Sequence, residues 1–333
     1  MAGLKQVAQQ AGVSRATAAR AFATPELVRE STRSRIFEAA DALNFRPNRL
    51  AQQLRQQSTR LIGVVLPSLL NPVFAEQLHA MEQAAREQGY ALLIATTDYC
   101  ANRERDMVED LLRQRVDGLV LTVADADGSE LLKRLAAEST PFALAYHQPS
   151  QPYASVYVDN HQGMATATRH LLKAGHTKIA MVTGPALQSD RARRRVDGYR
   201  AAMRAHGLTP LPVIEMPAHT AACASVMTEQ WTRLSPTALL CSNDLLAISV
   251  IGVLQRSGYK VPDDISVVGF DGIALGEQLY PSLCTVVQPI EQLGRTLIAE
   301  ILAQLEGDAP RHHCLACRIR PGESSNIPLE SLE

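Results

Sequence analysis

The stretch LIGVVLPSLLNPVFAEQL, residues 61–78, decides the fold. Its opening LIGVVLP is an apolar run of strand length closed by proline, the composition of a strand buried on both faces of a parallel sheet. A helical pattern follows over 73–88. The same strand-and-helix unit recurs in ALLIAT with a helix after Arg103, and in VDGLVLTV with a helix over 130–137. PFALAY and SVYV follow, then a helix over 161–174, TKIAMVTG, a helix over 191–205 and LPVIEM. A helix near 221–234, TALLCS, a helix over 245–257 and DISVVGF complete the series. Such repetition builds parallel sheets covered by helices on both faces. The units are too many for one compact sheet. The expected fold class is therefore α/β, two doubly wound parallel-sheet subdomains divided near 158–161, with a last helix over 290–305 that recrosses. Ligands sit at the carboxyl ends of strands in such sheets, so two facing subdomains make a cleft.

Upstream, LKQVAQQAGVSRATAARAFA, residues 4–23, reads differently. Leu4, Val7, Ala8 and Ala11 share one helical face, Gly12 stops the helix, and Ser14 is placed to cap a second helix over 15–22. Two short helices joined at a glycine turn make a helix-turn-helix. Arg15, Ala16, Thr17 and Arg20 point outward, offering donors for phosphates and guanine edges and a methyl for thymine, while Ala18, Ala19 and Ala21 are available for packing. The competing reading of this segment is an amphipathic hairpin with a solvated basic face. A third helix over 31–43, with Ile36, Phe37, Ala40 and Leu43 inward, completes a small all-α head. Arg46-Pro47-Asn48 breaks it, and the polar segment 48–59 has no apolar face to hold a helix alone.

The chain has 333 residues, 46% hydrophobic and 20% charged, so a multidomain globular protein is expected. Net charge is −1, yet residues 1–60 hold ten Lys/Arg against four Asp/Glu. A basic head on an acidic body suits a phosphate-binding module joined to something else. No signal peptide or membrane-length apolar run is present, and the scattered cysteines suit reduced thiols, so a cytoplasmic location is expected. The boundaries expected are a head over 1–47, a hinge helix and linker over 48–59, and a ligand-binding and dimerisation domain over 60–333. Within that domain the first subdomain takes about 60–159 plus 289–318, and the second about 160–288 plus 319–329.

With these parts in hand, the chain resembles the lactose repressor (LacI/GalR-type) family over essentially its full length. The matching strings are LKQVAQQAGVS with TAAR, ALNFRPNRLAQQLR, IGVVLP with NPVF, and AREQGYALLIA. Further on come QRVDGLVLT, VDN with HLLKAGHTKIAMVTGP, SNDLLAISVI, VPDDISVVGFD, and PSLCTVVQP with LG. SLLNPVFAEQL and RPGESS look most like the gluconate-repressor branch. The resemblance implies a homodimeric repressor that binds double-stranded operator DNA under control of a small-molecule effector, with no cofactor, no metal and no membrane. It implies DNA contacts from Leu4, Ser14, Arg15, Ala16, Thr17, Arg20, Asn48 and Arg49, with Leu54 as the hinge leucine wedged into the minor groove. Ala19, Gln6 and Ala23 depart from the family's usual Ser, Asp and Asn, which bears on the operator sequence.

The effector positions implied are Ser68, Asn71 and Phe74 after the first strand, Asn243 and Asp271 after later strands, and Arg195, with Arg191 as its counterpart in the gluconate branch. Tyr146 and His147 are added as pocket walls. Plainer roles compete: a helix cap for Asn243 and Asp244, a turn former for Asp271 beside Gly272, a solvated helix start for Arg193 and Arg194, core packing for Trp231. Few aromatics (5%) and the basic run DRARRR, residues 190–195, favour an acidic effector such as a sugar acid, because guanidinium clamps carboxylates. HHCLAC, residues 312–317, reads as an edge strand returning to the first subdomain rather than a metal site. Two other functions compete. A periplasmic-type sugar-binding protein shares the two-lobed fold but has no use for a basic head. An enzyme would need a site, and LIGVVLPSLLNP and TKIAMVTGPALQ both lack phosphate-loop glycine spacing. Only fourteen residues, 320–333, follow the last expected strand, too few and too proline-rich for a tetramerising leucine-heptad tail.

Overall fold

Three helices, α1 (Leu4–Gln10), α2 (Arg15–Ala23) and α3 (Glu30–Ala42), make the N-terminal unit. The computed structural model describes residues 3–45 and 58–325, divided between units Met1–Thr59 and Arg60–Glu333. Asn48, Arg49 and Leu54, and with them the expected hinge, lie outside the described residues. Gly12 turns the chain at φ +63, a conformation that a Cβ would strain. Ser14 Oγ then accepts from the Thr17 N–H at 3.0 Å and caps α2. Val7, Ala8, Ala18, Ala21, Ile36, Ala39 and Ala40 form the small core. Phe37 is a correction. It is 37% exposed, because Ala39 takes the inner position beside Ile36 and Ala40, and its ring instead meets Phe22 with centroids 5.4 Å apart.

The second unit holds two six-stranded sheets. The first contains β1 (Leu61–Leu66), β2 (Ala91–Thr96), β3 (Gly118–Leu121), β4 (Phe142–Ala145), β5 (Ala154–Val158) and β11 (His312–Leu315), in the order β11-β5-β4-β3-β1-β2. The second contains β6 (Ile179–Thr183), β7 (Ile214–Glu215), β8 (Ala238–Cys241), β9 (Ser266–Asp271), β10 (Cys284–Val287) and β12 (Arg318–Arg320), in the order β12-β10-β9-β8-β6-β7. All pairings are parallel except β10 with β12. β1 sits between β2 and β3, with Ile62 opposite both Leu92 and Gly118, so the connections diverge at its carboxyl end. HHCL is the first sheet's edge strand, beside β5. Arg318, assigned by pattern to the first lobe, pairs with Val287 in the second sheet, so the chain crosses just before it.

The helices follow their apolar periods. α4 (Pro72–Glu87), α5 (Ala101–Arg113), α6 (Glu130–Ala137) and α11 (Ile290–Leu305) cover the first sheet. α7 (Asn160–Lys173), α8 (Asp190–Ala205), α9 (Ala224–Leu234) and α10 (Asp244–Arg256) cover the second. α4 and α11 bury Phe74, Met81, Leu293 and Leu297 against Ile62, Val64 and Val120 of the sheet. Trp231 packs at the rim of the second core, its ring 4.7 Å from Tyr259. The six cysteines form no disulfide. Among the described residues, no helix is long and apolar enough to cross a membrane and no residue group could hold a metal ion.

Candidate functional site

On the head, the exposed residues of α2 are Arg15, Ala16 and Arg20, with Ser14 just before them. Thr17 is half-buried, its hydroxyl 2.8 Å from that of Ser14. Ala18 and Ala21 face the core, so the outward surface of α2 carries two guanidinium groups, a methyl and a hydroxyl. That is a surface able to hold phosphates and read base edges. Leu4 is half-buried against the head core.

In the second unit the strand ends converge on one pocket. The first lobe contributes Asn71, Val73, Phe74, Tyr99 and Tyr146; the second contributes Ser189, Arg191, Ala192, Arg195, His219, Ser242, Asn243 and Asp271, and Gln288 enters from a crossover. Tyr146 just past β4 has φ +72, and Asp271 at the end of β9 has φ +131. Residues with a Cβ enter these regions only with strain, and such strain gathers where side chains are aimed at ligands.

Arg195 is buried at the centre. Its Nε donates to Asn160 Oδ1 at 2.8 Å, its Nη1 to the Ser242 carbonyl, and its guanidinium lies 3.7 Å from the Phe270 ring centroid. Asp271 Oδ1 is 3.5 Å from Nη1 and accepts from Gln288 Nε2 at 2.8 Å. Burial pushes the Asp271 carboxyl up to about 7, against the pull of Arg195 and with the added push of Asp244. Arg191 Nη1 donates to the Val123 carbonyl at 3.0 Å and to His147 Nε2 at 2.9 Å. His219 stacks on Tyr99, centroids 4.3 Å apart, and burial together with Arg191 holds its imidazole down at about 4. Burial raises the Tyr99 hydroxyl to about 12. The lining thus carries two guanidinium groups and one carboxyl that burial pushes toward its neutral form. Three of its buried atoms, His219 Nε2, Ser242 Oγ and Gln288 Oε1, have no hydrogen-bond partner among the described residues. Each such atom costs about 1–3 kcal/mol until something pairs with it.

Of the residues expected from the sequence, Asn71, Phe74, Arg191, Arg195, Asn243 and Asp271 are brought together, with Tyr146 beside them. Ser68 and His147 are not. Ser68 Oγ accepts from the Leu70 N–H at 3.1 Å and shapes the loop before α4. His147 is fully buried behind Arg191, because its ring is turned onto the Val123 N–H and Asp190. Asn243 combines both of its readings: its Oδ1 caps α10 at Leu246 N, 2.9 Å, while Nδ2 donates to the His219 carbonyl at 2.7 Å. Asp244 is occupied by the N–H groups of Gly272 and Ile273 and lies outside the lining. Arg193 and Arg194 are no solvated helix start: Arg193 lies 3.5 Å from Asp125, and Arg194 Nη2 donates to the Gln148 carbonyl at 2.8 Å. The sequence reading omits Tyr99, Ser189, His219, Ser242 and Gln288. Ser242 and Gln288 directly follow β8 and β10, so the strand-end rule applied consistently finds them. Tyr99 and His219 come from loops without a motif.

Residues 3–48 match the family model described as bacterial regulatory proteins, lacI family, and residues 59–319 match that of periplasmic binding proteins and sugar binding domain of LacI family. An HTH-type transcriptional repressor PurR from Aliivibrio salmonicida is 33% identical over 320 residues, 94% of either chain. A repressor of the same name from Photobacterium profundum is 35% identical, over 91% of this chain and 92% of its own. A crystal structure of the lac repressor dimer, bound to operator and the anti-inducer ONPF, is similar at TM-score 0.85 and 27% identity, over 97% of this chain and 99% of that one.

Proposed function

Because this chain belongs to the lacI family of bacterial regulatory proteins, and is a DNA-binding repressor with a ligand-binding domain, we propose that a small anionic effector binds its cleft and changes its affinity for operator DNA. The proposed class is a sugar acid such as gluconate or a related hydroxylated metabolite. One observation carries this reading. Arg191 and Arg195 are both buried in the lining, where Asp271 is the only acid among the described residues and burial favours its neutral form; Asp190, just behind the lining, lies 3.4 Å from Arg191 Nη1. A ligand carboxylate would give the Arg195 guanidinium an anionic partner when Asp271 is neutral, and hydroxyl groups would pair His219 Nε2, Ser242 Oγ and Gln288 Oε1. The curated relatives named above are PurR repressors, so gluconate in particular rests on the strings SLLNPVFAEQL and RPGESS. The charge of the lining supports the anionic class alone.

The DNA half of the proposal assigns Arg15, Ala16 and Arg20 on α2 to base edges and phosphates, two copies of the head serving the homodimer. An effector changes operator affinity only by binding two cleft states with different affinity. The test pairs calorimetry on D-gluconate, other small hydroxy acids and matched neutral sugars with anisotropy on an operator selected from genomic fragments. An acid should bind and shift operator affinity. If only neutral sugars bind, the anionic assignment is wrong.

A further inference from the structure

The run Asp190–Arg195 makes more contacts across the cleft than a ligand wall needs. The Asp190 N–H donates to the Ala124 carbonyl at 3.0 Å, and its Oδ2 accepts from the Ala126 N–H at 3.4 Å. That same Oδ2 lies 2.7 Å from His147 Nδ1. Arg191 reaches Val123, Arg193 meets Asp125 and Arg194 grips Gln148. Every one of these partners sits in the first lobe, in the loops after β3 and β4, whereas α8 belongs to the second. Positions 190, 191 and 194 share one face of α8, so one helical turn presents a row of charge to the opposite lobe. Arg195 faces into its own lobe instead, toward Asn160 and Ser242.

His147 is at the centre of this seam. The Val123 N–H donates to Nε2 at 3.0 Å, so Nε2 holds a lone pair and the ring proton is on Nδ1, donated to Asp190. Arg191 Nη1, 2.9 Å away, shares the single Nε2 lone pair with the Val123 N–H.

We infer that His147 and Asp190 are positioning residues for Arg191, and that with Arg194 they fasten the start of α8 across the cleft, so that the cationic wall is assembled only when the lobes are closed. The ligand arm of this inference rests on the anionic-effector reading; the closure arm does not. The groups facing His147 are Asp190 and Arg191 from α8 and Asp125 from the loop after β3. Glu104 on α5 holds the adjacent Ala124 N–H at 2.7 Å. Burial first, and then Arg191, disfavours protonation of His147 while Asp190 favours it, and the net effect is downward. An open cleft brings water to the ring and relieves part of that burial penalty, so the open state takes up a proton more readily. Closure therefore weakens as pH falls, since the closed ring has no acceptor for an Nε2 proton.

The test is hydrogen exchange by mass spectrometry on the free full-length protein, followed in segments 122–128, 187–195 and 238–241. Asp190→Asn and Arg194→Gln should each speed exchange in the first two segments by about fivefold or more and leave 238–241 unchanged. Wild-type protection of 122–128, corrected for intrinsic rates, should fall as the pH is lowered toward the acid side of neutrality, and His147→Gln should abolish that response. Unchanged exchange in both charge variants overturns the inference. So does equal acceleration of all three segments, or a pH response that survives His147→Gln. Calorimetry with D-gluconate separates the two readings: Asp190→Asn should weaken binding about tenfold. No heat from wild type, with the exchange results intact, sinks the gluconate probe and leaves the closure assignment standing.

Discussion

Raising the pH from 6 to 8 should weaken binding of an anionic effector about tenfold, and Asp271 is the group responsible. Asp271 is 3% exposed, pairs with Arg195 at 3.5 Å, and has its carboxyl pushed up to about 7 by burial. When ionised it competes with the incoming anion for Arg195 and repels it. When protonated it releases Arg195 and can donate a hydrogen bond. The anion therefore favours the protonated form, and binding takes up a proton. At pH 8, one unit above the titration point, protonating Asp271 costs about 1.4 kcal/mol, while at pH 6 it costs under ~0.1 kcal/mol. Two neighbouring titratable groups do not supply this dependence, and protonation of His147, which opposes closure, acts in the opposite direction at the acid end. His219, held at about 4, stays neutral over the range, and Tyr99, raised to about 12, stays protonated. Titration calorimetry at pH 7 in two buffers of different ionisation enthalpy should show a net uptake of protons on binding. Asp271→Asn keeps the hydrogen-bonding oxygen for Gln288 and tolerates the positive φ better than most residues, and it should flatten the profile. Affinity independent of pH, with no proton uptake in wild type, would refute the argument.

Arg195→Ala should weaken an anionic effector by about 2–5 kcal/mol in calorimetry while operator affinity without effector stays close to wild type, because the guanidinium is confined to the cleft. Arg20→Ala should lower operator affinity by about 1–3 kcal/mol in an anisotropy titration, with random DNA less affected if the group reads a base. Ser14→Ala removes the cap on the Thr17 N–H and should destabilise the head by about 1 kcal/mol in a thermal melt. Gly198→Ala places a Cβ onto the His161 carbonyl oxygen where α7 and α8 meet, so a loss of about 1–3 kcal/mol in chemical denaturation is expected; an unchanged midpoint would mean the helices are free to separate.

Local chemistry made much of this protein legible without a structure. The glycine turn at Gly12, the cap at Ser14 and the alternation of apolar strands with amphipathic helices are each set by residues a few positions apart, so they can be read from the chain directly. The family resemblance pointed to Asn71, Phe74, Asn243 and Asp271, and these lie where a parallel sheet places the residues after its strands, at one edge. What only the tertiary structure decided is where charge and rings go once distant loops meet. DRARRR is one helical turn and a half, in which adjacent residues differ by a large angle around the axis; packing alone sent Arg195 to Asp271 and Phe270, Arg191 to His147, and Arg194 to Gln148. It also put His147 behind the pocket instead of on its wall, turned Phe37 outward, and stacked Tyr99 on His219 from the other lobe. These outcomes depend on contacts between residues far apart in sequence and on how much water each group loses, and neither quantity exists in the sequence until the chain is folded.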